Sequence, residues 1–143
     1  MARYKLARAV TCRIDPDDWN YVYAKGRGRS FNSAIRFFVH ILRDLEAEGL
    51  AELRGYFEPK EWKFMADAMK RNTEPIWSKN ELQRIIMDIR NMEATASYYD
   101  VVPAKLVDKI ANLNSIHVLA VTQRVHEFWE RSEGVTMDEW ARY

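Results

Sequence analysis

The sequence predicts a mainly α-helical protein with a small β-α-α unit at its front, and three observations carry that reading. Residues 8–14 are the one stretch that alternates side to side in the manner of a strand. Residues 28–33 (Gly-Arg-Ser-Phe-Asn-Ser) open a long amphipathic helix. From Leu50 onward apolar residues recur only at helical spacing. The chain therefore divides into a first domain over 1–49 and an all-α second domain over 50–143.

In the expected strand, Val10, Cys12 and Ile14 share one face while Ala9, Thr11 and Arg13 share the other. A lone strand with an apolar face is an exposed edge, so its partner is expected from a second copy of the chain. Asp15 then caps a short helix, with Pro16 at its first position, Asp17 and Asp18 in its first turn, and Gly26 and Gly28 around its end. Trp19, Val22 and Tyr23 form its apolar side. Ser30 caps the next helix, in which Phe31, Ile35, Phe38, Val39, Leu42 and Leu45 repeat at helical spacing up to a stop expected at Gly49. Phe37 and Ile41 make that apolar face wider than one neighbour covers, which again points to burial between two subunits.

In the second domain, Glu58 and Pro59 start a helix with Trp62, Met65, Ala66 and Met69 inward, followed by a loop over 72–77. Ser78 and Glu81 form a capping box ahead of the stripe Leu82, Ile85, Ile86, Ile89 and Met92. Pro103 opens a helix carrying Leu106, Val107 and Ile110. Ser115 opens another that has Val118, Val121, Val125, Phe128 and Trp129 on one side and further apolar residues on a second, so it is expected to be central. Thr136 with Glu139 marks a final short helix.

At 143 residues and 48% hydrophobic, the chain has ample material for a packed core. No run reaches the roughly 18 apolar residues of a membrane helix, and the mean hydropathy is −0.45. Arg13 interrupts the only apolar stretch near the start, so no secretory signal and a cytoplasmic location are expected. The single Cys12 excludes an internal disulfide and a cysteine-based zinc site. The net charge of +1 conceals a segregation. Residues 1–43 hold nine Lys and Arg against three Asp, net +6, whereas the remainder holds 13 basic and 18 acidic residues, net −5. A polyanion responds to the local field, so the first third is the candidate polyanion-binding part.

The alternating strand, the Pro at the start of the first helix, and Gly28, Arg29, Ser30, Asn32, Ser33 and Ile35 in their order resemble the ribbon-helix-helix family of DNA-binding proteins over about a third of the chain. The resemblance implies an intertwined homodimer whose two strands pair into a ribbon that enters the major groove, with the second helices forming the dimer core. On that geometry Ala9, Thr11 and Arg13 face base edges, and Val10, Cys12, Ile14, Ile35, Phe38, Val39 and Leu42 pack the dimer.

Physical chemistry adds to this. The Arg13 guanidinium matches the paired acceptors of guanine, and Thr11 offers a hydroxyl and a methyl; the plainer reading of Arg13 is a solvated charge. The amides of Phe31, Asn32 and Ser33 sit at the positive end of a helix dipole beside Arg27 and Arg29, a place for a phosphate. Ser30 caps that helix whether or not a phosphate binds. Arg3, Lys5 and Arg8 form a basic arm that either follows the DNA backbone or only solubilises the chain.

Catalytic signatures are missing: the three histidines His40, His117 and His126 have no metal-ligand spacing, no Gly-rich phosphate loop follows a strand, and Glu58 with Glu61 reads as a helix start. The expectation is a protein without enzymatic activity, metal or cofactor: a sequence-specific regulator of transcription that acts as a repressor, binding double-stranded DNA as a homodimer or higher oligomer. Its acidic helical domain would serve oligomerisation or bind a protein or small-molecule partner, although its aromatic residues are expected mainly in the core. The alternatives are an accessory DNA-binding protein of a plasmid or phage, and a dimeric interaction scaffold that ignores DNA.

Overall fold

A computed structural model describes residues 13–26, 30–70, 76, 78–88, 95–131 and 133–143. Regular structure among them is helical throughout, in the order α1 (Pro16–Lys25), α2 (Phe31–Glu52), α3 (Pro59–Lys70), α4 (Lys79–Ile86), α5 (Ser97–Tyr99), α6 (Pro103–Ala111), α7 (Ser115–Arg131) and α8 (Met137–Trp140). The chain forms two compact units, Met1–Leu42 and Arg43–Tyr143.

The mainly α reading matches, but the β-ribbon does not. Arg13 and Ile14, which close the expected strand, lead into α1 without strand structure, and no strand occurs among the described residues; residues 8–12 lie outside them. The ribbon-helix-helix assignment of the first domain is therefore corrected. Alternation supplies a strand with a face but not with a ladder, and among the described residues no extended segment stands ready to accept its backbone hydrogen bonds.

In the first unit the local signals act as expected. The Asp15 carboxylate accepts from Asp17 N at 2.9 Å, Pro16 occupies the first helical position, and Gly26 N–H donates to Val22 O to end α1. A Cβ on Gly26 would lie 2.7 Å from that of Ala34, so glycine permits the close approach of α1's end to α2. Trp19 and Phe31 stack with ring centroids 3.9 Å apart. Even so, Ala34 is the single buried apolar side chain among this unit's described residues.

The second unit holds the core. Trp62, Phe64 and Met65 of α3, Leu82 and Ile86 of α4, Leu106 and Ile110 of α6, and Val118, Val121 and Val125 of α7 are all buried. α3 packs against α4, α5, α7 and α8, and α4 against α6 and α7. The capping boxes Ser78/Glu81 and Thr136/Glu139 are both formed. At the start of α3, Glu58 N donates to Glu61 Oε1 at 2.8 Å. The same carboxylate oxygen, nearly buried, pairs with Lys109 Nζ at 2.5 Å and ties α3 to α6.

Two boundaries differ from expectation. α2 runs past Gly49 to Glu52, because Gly49 serves packing: a Cβ there would meet Ile116 Cγ2 at 2.9 Å and Ile116 O at 3.1 Å. α4 ends at Ile86, with Met87 as its cap; Ile89 and Met92 lie outside the described residues.

Candidate nucleic-acid interface

Arg13 is exposed just ahead of α1, while Ile14 is half-buried. At the start of α2, Ser30 Oγ accepts from Ser33 N at 3.3 Å and lies 3.0 Å from Ser33 Oγ. The cap thus occupies the Ser33 amide, leaving those of Phe31 and Asn32 in the first turn, where the helix itself supplies no acceptor. The Phe31 side chain is half-buried against Trp19; those of Ser30, Asn32 and Ser33 are exposed. The other expected contact residues, Arg3, Lys5, Arg8, Ala9, Thr11, Arg27 and Arg29, lie outside the described residues, as do Val10 and Cys12.

α2 brings together what was expected of the dimer core and leaves it open. Ile35, Val39 and Leu42, spaced i, i+4 and i+7, form one stripe and are 36%, 51% and 50% exposed. Phe37 and Ile41 form a second exposed stripe, on the other side of the half-buried Phe38. Together they make an apolar arc around roughly half the helix, and the described residues of this unit leave its stripe Ile35, Val39 and Leu42 open to solvent.

Opposite the arc lies a row whose Arg36 and Arg43 sequence reading counted only as charge. Asn32, Arg36, His40 and Arg43 follow one another at i, i+4, i+8 and i+11, and all four are exposed. Lys25 in the last turn of α1 is likewise exposed. The signal was available in the helical period of residues 32–43, since every fourth position outside the apolar arc is polar or basic.

No protein-family model, no curated protein and no solved structure matches this chain.

Chemically, a helix with an apolar arc on one side and a guanidinium row on the other can associate through the first and attract phosphate through the second. Phosphate contacts of this kind position a duplex without reading it. Among the described residues no three His, Cys, Asp or Glu side chains gather as metal ligands. Nor is any described helix long and apolar enough to cross a membrane.

Proposed function

We propose that this protein is a homodimeric regulator of transcription that binds double-stranded DNA and represses by occupying its operator. The observation that carries the reading is the two-sided α2: an exposed apolar stripe of Ile35, Val39 and Leu42 opposite an exposed row of Arg36, His40 and Arg43. Two copies joined through the arcs turn their basic rows outward, where a polyanion approaches. The +6 charge of residues 1–43 supports the same assignment. Phosphates are held by Arg36, Arg43 and the amides at the start of α2, and Arg13 is the exposed guanidinium suited to guanine.

Titration of labelled duplex at several salt concentrations tests this. The log-log slope of affinity against salt is expected to be steep, and the double substitution Arg36→Ala/Arg43→Ala, which removes four contacts from the dimer, to reduce its magnitude by about 3.6, at about 0.9 per phosphate contact. Arg13→Ala should narrow the gap between selected and random duplex rather than weaken both alike. A dimer that ignores duplex at low salt would instead be a scaffold, for which the apolar arc alone suffices.

A further inference from the structure

A groove of about 490 Å³ lies on the second unit between the first turns of α3, the Tyr98–Tyr99 turn and the start of α8. Lys60 and Lys63, three residues apart on α3, line one wall. Two of the carboxylates around it are firmly engaged. Asp138 is paired with Lys63, whose hydrogen bond and charge hold its carboxyl below the ordinary range. Asp67 accepts the Tyr99 hydroxyl at 2.9 Å. Asp100 and Glu58 both stand 3.8 Å from Lys60 Nζ, and both are well exposed to water. Pairs so long and so solvated are weak, and a ligand oxyanion displaces them readily.

The polar groups that are held only weakly, or that keep a proton to spare, are donors. Lys60 has its ammonium protons; Thr136 Oγ1 accepts from Glu139 N at 3.2 Å, which leaves its hydroxyl proton to give. A groove whose Lys60 ammonium is held only by long, solvated pairs and whose Thr136 hydroxyl keeps a proton to give offers an anion two donors. Its apolar wall is also specific. Tyr99 is fixed by Asp67 and by Met137 Sδ at 3.8 Å, and Tyr98 meets Tyr99 edge-on at 4.9 Å while remaining 81% exposed. That leaves a flat ring face open to stacking.

We propose that this groove binds a small aromatic anion, its ring against Tyr98 and its phosphate or carboxylate between Lys60 and Thr136. The proposal stands apart from DNA binding, since every residue it uses belongs to the second unit.

Calorimetric titration of the full chain with AMP, adenosine, benzoate and inorganic phosphate tests it, with the Met137 methyl resonance as a local reporter. Saturable binding of AMP or benzoate that shifts that methyl is expected, and which of the two binds separates a phosphate from a carboxylate headgroup. Adenosine and inorganic phosphate each lack half of the recognised chemistry and should bind at least about tenfold more weakly. Lys60→Gln and Tyr98→Ala, both at exposed positions, should each weaken binding by about tenfold with an unchanged circular dichroism melt, while Lys60→Arg retains it. The proposal is overturned if neither anion saturates below about 10 mM, if adenosine binds as tightly as AMP, or if the two substitutions leave affinity untouched.

Discussion

At the scale of single residues, Tyr99 shows how a half-buried contact becomes a measurable property. Burial, and then the hydrogen bond its hydroxyl donates to Asp67, push the phenol up to about 12 from the ordinary 10. A phenol whose folded value lies above its unfolded one stabilises the fold fully below pH 10, and that contribution fades as pH rises through 12. Tyr99 is therefore expected to be among the last tyrosines to ionise in a spectroscopic titration, and Asp67→Asn to lower its midpoint. Ionisation of Tyr99 in step with ordinary exposed tyrosines would show that the contact to Asp67 does not persist in solution. Glu61 illustrates the same economy differently: one carboxylate oxygen accepts from Glu58 N and from Lys109 Nζ, so a nearly buried charge both caps α3 and joins it to α6.

Among the elements, the C-terminal segment depends on one side chain of α7. The Arg124 guanidinium lies 4.3 Å from the ring centroids of Trp62 and Trp140 and 4.6 Å from that of Tyr143, and its Nη2 donates to Trp140 O. Withdrawal from water brings its pKa down to about 10, with a partial offset from Tyr143, which leaves it charged at neutral pH and able to hold three rings at once. Gly55 N–H adds a backbone bond to Tyr143 O at 3.0 Å. Replacing Arg124 by alanine should destabilise the second unit by about 2–3 kcal/mol in denaturant melts. Hydrogen exchange should accelerate first over residues 136–143, and uniform acceleration across α3 to α7 would show that α8 is not held by this contact.

For the molecule as a whole, the two units meet the problem of burial in different ways. The second encloses a core of tryptophan, phenylalanine and aliphatic side chains; the described part of the first buries one alanine and exposes its apolar arc. A unit of this size with so little core is expected to gain stability from association. Val39→Glu, placing a charge in the middle of the exposed stripe, should raise the dimer dissociation constant by about a hundredfold or more in sedimentation velocity. DNA affinity should fall with it and the melt of the second unit should not change. A wild-type chain that sediments as a monomer at micromolar concentration would remove the dimer from the proposal.

Local chemistry was legible without coordinates wherever a short stretch of chain decides the outcome. Asp15 before Pro16, Ser78 with Glu81, and Thr136 with Glu139 start helices because the cap and the amide that donates to it lie within three residues of each other, and the 3.6-residue period marks the buried faces of α3, α4, α6 and α7. The expected strand was misread for the converse reason: alternation describes a face, whereas a strand exists only through bonds to another segment, and that is a tertiary fact. Gly49 belongs to the same class, since only the distance to Ile116 reveals that it packs two segments together instead of ending α2. The row Arg36, His40, Arg43 could have been found from its spacing, but the groove that gathers Lys60, Tyr98 and Thr136 across 77 positions could not. Helix starts and apolar faces are properties of neighbours along the chain; which faces remain open, and which distant side chains share a groove, are settled only when the helices pack.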